Sequence, residues 1–180
     1  NKLNKESFRK SISIVNQEPI LFNMSIKENL LMANESATDK EIIDACKLAN
    51  IDLYIEELPN KYNEIITENS TNFSVGQKQR LAIARAIARE PEIYIFDDSF
   101  SALDYKTDSV LRRELKKYTK DATSLIVAQR IGTIMNADKI LVLDNGECVG
   151  IGTHKELLKT CDVYKQIALS QLSKEELENG

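Results

Sequence analysis

Apolar residues along this chain alternate between short β-branched runs and longer stretches of helical spacing. Ile12, Ile14 and Val15 form the first run, which predicts a buried strand over Ser11–Gln17, stopped ahead of Pro19. Ser25-Ile26-Lys27-Glu28 is a capping box and predicts a short helix through Leu31. Thr38-Asp39-Lys40-Glu41 repeats that pattern and starts a second helix, with Ile42, Ile43, Cys46 and Leu48 at helical spacing. Pro59 and Asn60 break the element that follows. From Gly76 to Arg89 the residues are strong helix formers. Leu81, Ile83, Ala84 and Ile87 are placed to face a core, with Lys78, Arg80, Arg85 and Arg89 in water.

Pro91 ends that helix, and Ile93 to Phe96 predicts a fully buried strand, as in a parallel sheet covered on its faces. A helix over about Asp104 to Tyr118 leads to a strand at Ser124 to Val127, a short helix near Ile131 to Met135, and a strand at Ile140 to Leu143. Asp144-Asn145-Gly146 is a hairpin turn returning through Cys148, Val149 and Ile151. Thr153-His154-Lys155-Glu156, a third capping box, opens the last helices before a polar tail expected to fray. The alternation predicts an α/β fold with a mainly parallel core sheet, into which residues 22–89 are inserted as a helical subdomain. Residues 90–170 then complete the core, and 171–180 form the tail.

Composition narrows the function classes. A chain of 180 residues is one domain by length and long enough to bury a core. A net charge of -4 gives no basic face for nucleic acid. No apolar run approaches the roughly 18–20 residues of a membrane span, and the N-terminus lacks the apolar stretch of a signal peptide. The three cysteines are odd in number, far apart and without a CxxC pair. They predict reduced, mostly buried thiols in a cytosolic setting, not a zinc or disulfide framework. There are six glycines, the first at Gly76, so nothing fits G-x-x-x-x-G-K-[ST], the loop that cradles phosphates. The opening strand therefore reads as entering a sheet from sequence that precedes it.

The chemistry concentrates in Asn72 to Asp104, NFSVGQKQRLAIARAIAREPEIYIFDDSFSALD. Asp97 and Asp98 close an apolar strand, where parallel sheets bind ligands, and hard carboxylate oxygens there suit Mg²⁺. Ser74-Val75-Gly76-Gln77 sets a hydroxyl and backbone amides at a helix N-terminus, an anion site. Gln17 follows the first strand, and the run NQEPILFNMSIKENL continues from it.

In combination these segments resemble the ATP-binding cassette family, and Phe22, Ser25, Ile26, Asn29 and the GTHKELL segment resemble its exporter branch. The resemblance implies a P-loop NTPase-type fold that binds ATP with Mg²⁺. It implies that Asp97 and Gln17 attend the metal and that Ser74, Gly76 and Gln77 touch the γ-phosphate held by a second nucleotide-binding domain. Asp104 would meet that opposite subunit, and Glu68 would take the place of a loop touching the transmembrane domains. His154, in the first turn of a capped helix, is assigned a structural role.

Two positions depart from the family pattern. Asp98 stands where a glutamate polarises the attacking water, and Gln129 stands where a histidine contacts the γ-phosphate. Aspartate is one methylene shorter, and glutamine cannot carry charge. Both fall in the catalytic position of one site, which implies the less active half of a heterodimeric exporter at the cytoplasmic face of the cell membrane. Val75 also replaces a signature glycine. Two alternatives stay open at this point: a soluble cassette ATPase of DNA repair or translation, and a non-enzymatic fragment.

Overall fold

The computed structural model describes residues 4–67 and 72–172. Glu68 and the tail residues 173–180 lie outside the described residues. The chain divides into two compact units, one ending at Val127 and one starting at Ala128.

The first unit opens with helix α1 (Lys5–Ser11), N-capped by the Asn4 side chain, which accepts from the Glu6 amide. Nothing apolar and periodic announces this helix; the cap and the charged pair Glu6–Lys10 hold it. Strand β1 (Ile12–Val15) follows, then helices α2 (Ile26–Leu31), α3 (Asp39–Leu48) and α4 (Asp52–Glu57), a single 3-10 turn (Lys61–Asn63), and the long helix α5 (Val75–Ala88). Strand β2 (Ile93–Asp97), helix α6 (Tyr105–Tyr118) and strand β3 (Thr123–Val127) complete it. The strands form a parallel sheet in the order β1-β2-β3, with Ile14, Ile95 and Leu125 in register.

The helices start where cap chemistry places them. In α2 and α3 both bonds of the capping box form, Ser25 with Glu28 and Thr38 with Glu41. Helix α5 carries eight buried residues, among them Leu81, Ile83 and Ile87, and packs against β1, α2 and α3. Full burial of such side chains contributes about 1.5–3 kcal/mol each, so α5 is the axis of this core. Its arginines are half-buried instead of fully solvated. Arg80 donates to the Asn50 carbonyl, Arg85 to Ile20 and Arg89 to Arg9, so each guanidinium exchanges water for a backbone acceptor.

The strands are less buried than their apolar runs suggest. On β1, Ser13 and Val15 point into the core while Ile14 is 58% exposed. On β2, Tyr94 and Phe96 are buried and Ile93 and Ile95 half-buried. On β3, Leu125 and Val127 are exposed. Pleating accounts for this, because successive side chains take opposite faces and the helices of this unit cover only one of them.

The second unit contains α7 (Ile131–Ile134), an antiparallel pair β4 (Ile140–Asp144) and β5 (Glu147–Gly152), α8 (His154–Thr160) and α9 (Asp162–Gln171). Asn145 (φ 48°) and Gly146 (φ 83°) make the turn between the strands, both left-handed as a type I′ turn requires. Ile131, Ile140, Val142, Leu157 and Tyr164 form its own core. His154 is buried there, its Nδ1 2.7 Å from the Tyr164 hydroxyl. Of the cysteines, Cys46 and Cys161 are buried and Cys148 is exposed. Among the described residues no helix is long and apolar enough to cross a membrane.

Candidate functional site

The carboxyl ends of β1, β2 and β3 gather three of the residues singled out in the sequence. Gln17 follows β1, and Asp97 ends β2 with an exposed carboxylate. Next to it the Gln17 Nε2 donates to Asp98 Oδ2 at 3.2 Å. Asp98 has φ 46°, the left-handed region that aspartate tolerates better than most residues. Its amide donates to the Val127 carbonyl at 2.9 Å, and its carbonyl accepts from the Ser101 hydroxyl at 2.8 Å. The strand therefore turns sharply at Asp98 while staying tied to β3. Ser99, fully buried, donates from its hydroxyl to the Val15 carbonyl at 2.7 Å and ties the same turn to β1.

Ser74 is the N-cap of α5. Its hydroxyl accepts from the Gln77 amide at 3.2 Å, and the Gln77 Oε1 accepts from the Ser74 amide at 2.7 Å. The signature turn is thus a capping box built with an amide, and Ser74 stays exposed at the helix N-terminus. Gly76 faces the turn that precedes α6. A Cβ there would lie 3.4 Å from the Ala102 carbonyl oxygen and 3.6 Å from Leu103, ordinary contact distances. Asp104 caps α6, its Oδ1 accepting from the Thr107 amide at 3.0 Å. Hydrogen bonds from Thr107 hold its carboxyl below the usual aspartate range.

Gln129 belongs to the second unit, exposed after the end of β3. Its carbonyl accepts from Gln171 Nε2 at 2.9 Å, and Gln171 Oε1 accepts from the Ile131 amide at 2.8 Å. Gln171 therefore braces the start of α7 and ends α9, where its sequence position predicts the polar tail.

The structure adds Gln79, a polar residue buried on α5. Fully buried, it donates from Nε2 to the carbonyls of Asn16 and Gln17 at 3.2 and 3.3 Å. The sign was there: Gln79 lies four residues before Ile83, a polar residue on the apolar stripe of α5.

The donor set fits Mg²⁺. Among the described residues no group of three or more His, Cys, Asp or Glu side chains could enclose a metal. Magnesium, however, takes one or two protein carboxylates and leaves its remaining positions to phosphate oxygens and water. Asp97 supplies an open carboxylate, and with Nε2 of Gln17 engaged by Asp98, the Gln17 Oε1 is the end left for a metal or its water.

The chain is also similar to known proteins. The sequence profile of the ABC transporter family matches residues 1–101. Over 174 residues the chain is 45% identical to an ABC transporter ATP-binding protein, YfiB, of Bacillus subtilis, covering 97% of this chain and 30% of that protein. It is 41% identical over 169 residues to multidrug resistance protein pgp-1 of Caenorhabditis elegans, covering 94% of this chain and 13% of that one. A solved bacterial Atm1-family ABC exporter with ATP bound superposes with a TM-score of 0.89 at 34% identity, over 94% of this chain and 30% of the exporter. The chain thus spans less than a third of the length of each of these relatives. With the family profile covering more than half of its residues, the chain belongs to the ABC transporter family, in the portion that forms the ATP-binding domain.

Proposed function

We propose that this chain is part of the nucleotide-binding domain of an exporter that couples ATP binding and hydrolysis to transport across a membrane, working at its cytoplasmic face. The observation that carries the reading is the Gln17–Asp98 hydrogen bond beside Asp97, which assembles an acid pair and an amide at the carboxyl end of a parallel sheet. The multidrug and Atm1-type relatives favour an exporter over a soluble ATPase of DNA repair or translation. The partners are transmembrane domains and a second nucleotide-binding domain.

In the site of this chain, Asp97 and Gln17 hold the Mg²⁺–ATP end of the sheet. A Mg²⁺ ion held by these residues would neutralise phosphate charge. Asp98 accepts a hydrogen bond from Gln17 and orders water, but its carboxylate sits a methylene short of the reach of a glutamate. A displacement near 1 Å at a reacting centre costs about a hundredfold in rate. Gln129 donates to the γ-phosphate without supplying positive charge. The site binds ATP and turns it over slowly. Ser74, Gly76 and Gln77 complete the partner's competent site with a hydroxyl and amides at the α5 N-terminus, and Asp104 meets the partner beside it. The pair is then a heterodimer of unequal sites.

The test is the double substitution Asp98→Glu with Gln129→His in the intact transporter. Turnover at this site, isolated by disabling the partner's, should rise by about tenfold or more. A wild-type site that already matches its partner in turnover overturns the unequal-site reading.

A further inference from the structure

Helix α5 grips the backbone on both sides of Gln17. Gln79 Nε2 reaches the carbonyls of Asn16 and Gln17, and Arg85 Nη2 donates to the Ile20 carbonyl at 2.9 Å. The sequence separations are 62 to 65 residues, so these bonds tie two distant parts of the chain. The orientation of the Gln79 amide is fixed by chemistry, since turning it over would set its oxygen against two carbonyl oxygens. Its Oε1 is buried without a partner among the described residues, so the two bonds made by Nε2 are what the side chain is held for.

Three links then run in series. The first turn of α5 carries Ser74 to Gln77. Gln79, two residues beyond Gln77 and so about 3 Å further along at 1.5 Å per residue, holds the Gln17 backbone. The Gln17 side chain holds Asp98. A buried polar contact of this kind has two discrete states, made and broken, which is what a link between sites requires.

Resting on the function proposed above, we propose that Gln79, supported by Arg85, is a positioning residue that makes the Gln17 segment move with α5. It couples the partner-facing signature turn to the Gln17–Asp98 pair of this chain's own site. By reciprocity, whatever holds Gln17 at Asp98 also biases the setting of Ser74 and Gly76 for the partner's nucleotide.

Gln79→Met in the intact transporter keeps volume and removes both donors. Backbone amides near residues 16–20 should exchange hydrogen about tenfold faster, as a released segment does. The kcat of the assembled pair should fall about tenfold with KM within about threefold, because a positioning loss leaves ground-state binding in place. Added to Gln17→Ala, Gln79→Met should cause no further loss, since Gln79 acts only through the Gln17 segment. Arg85→Gln, which keeps a shorter donor, serves as the second variant and should show the same pattern at smaller amplitude, also where Gln79→Met does not fold. Losses that multiply in the Gln17→Ala background, or unchanged exchange at residues 16–20, overturn the proposal. A wild-type transporter without ATPase activity overturns the proposed function instead, and the exchange measurement still decides the tether.

Discussion

At the scale of single residues, Gly76 is where the proposed function separates what the chain needs for itself from what it would offer to a partner. The space around it accepts a methyl group, with the nearest atoms at 3.4 and 3.6 Å. Gly76→Ala should therefore leave folding neutral or improve it by up to about 1 kcal/mol, the helix-propensity difference between the two residues. Gly76→Asp should still fold, yet ATPase activity of the assembled pair should drop about 10²–10³-fold, the contribution of oriented donors to a phosphoryl transition state. Thermal unfolding read beside ATPase assays checks both. Undiminished turnover in Gly76→Asp would reduce Ser74–Gln77 to a helix cap. The caps themselves were legible in the sequence, because Ser74 and Asp104 have the right side chains one residue before a helix. Gln79 was harder to see, because glutamine is a good helix former beside lysine and arginine, and only its place on the stripe of Ile83 marks it as inward. The left-handed turn at Asp98 leaves no pattern at all beyond aspartate's tolerance for it.

At the scale of elements, four helices among the described residues start with a complete capping box, and three of them use glutamate. Hydrogen bonds hold these carboxyls below their ordinary range: chiefly the Ser25 hydroxyl for Glu28, and the backbone amides of Thr38 and Thr153 for Glu41 and Glu156. A carboxyl whose pKa is lower in the folded state contributes stability above its unfolded value, near 4.3. That contribution is lost as pH falls through the folded value. The urea midpoint should therefore decline below about pH 5. In Glu28→Gln/Glu41→Gln/Glu156→Gln the decline should be shallower, since glutamine keeps the acceptor and does not titrate. Equal slopes in both proteins would remove the boxes from the acid response. The fourth box, Ser74 with Gln77, uses the amide version, which keeps negative charge away from the proposed anion site and leaves its geometry independent of pH.

The starts of these helices were legible because capping is local chemistry. Strand burial was not, since an apolar run such as Ile12 to Val15 looks the same whether one face or both are covered. Helix α1 escaped notice because its residues are nearly all polar and its cap, Asn4, stands alone as a signal.

At the scale of the whole molecule, the alternation of strands and helices foretold the α/β class and the parallel sheet, while the division at Val127 was not visible in composition. No glycine- or proline-rich linker marks it; the sequence runs from strand to helix through Ala128 to Arg130 without a break in polarity.

The uncovered face of the sheet has a colloidal consequence. Ile14, Leu125 and Val127 are 58%, 54% and 50% exposed on the face that also carries Ile95, flanked by polar residues only at its ends. Parallel sheets rarely leave either face to water, and a contiguous apolar patch invites association. Prepared by itself, the 180-residue polypeptide should bind a hydrophobic dye and scatter light increasingly with concentration, most strongly in sulfate salts that strengthen apolar burial. Placing charge on that face with Leu125→Lys should return it to a monomer at the same concentration. A wild-type polypeptide that stays monomeric and dye-silent throughout would mean that this face is not sticky, and the behaviour of the purified domain would then have to be sought in its charge.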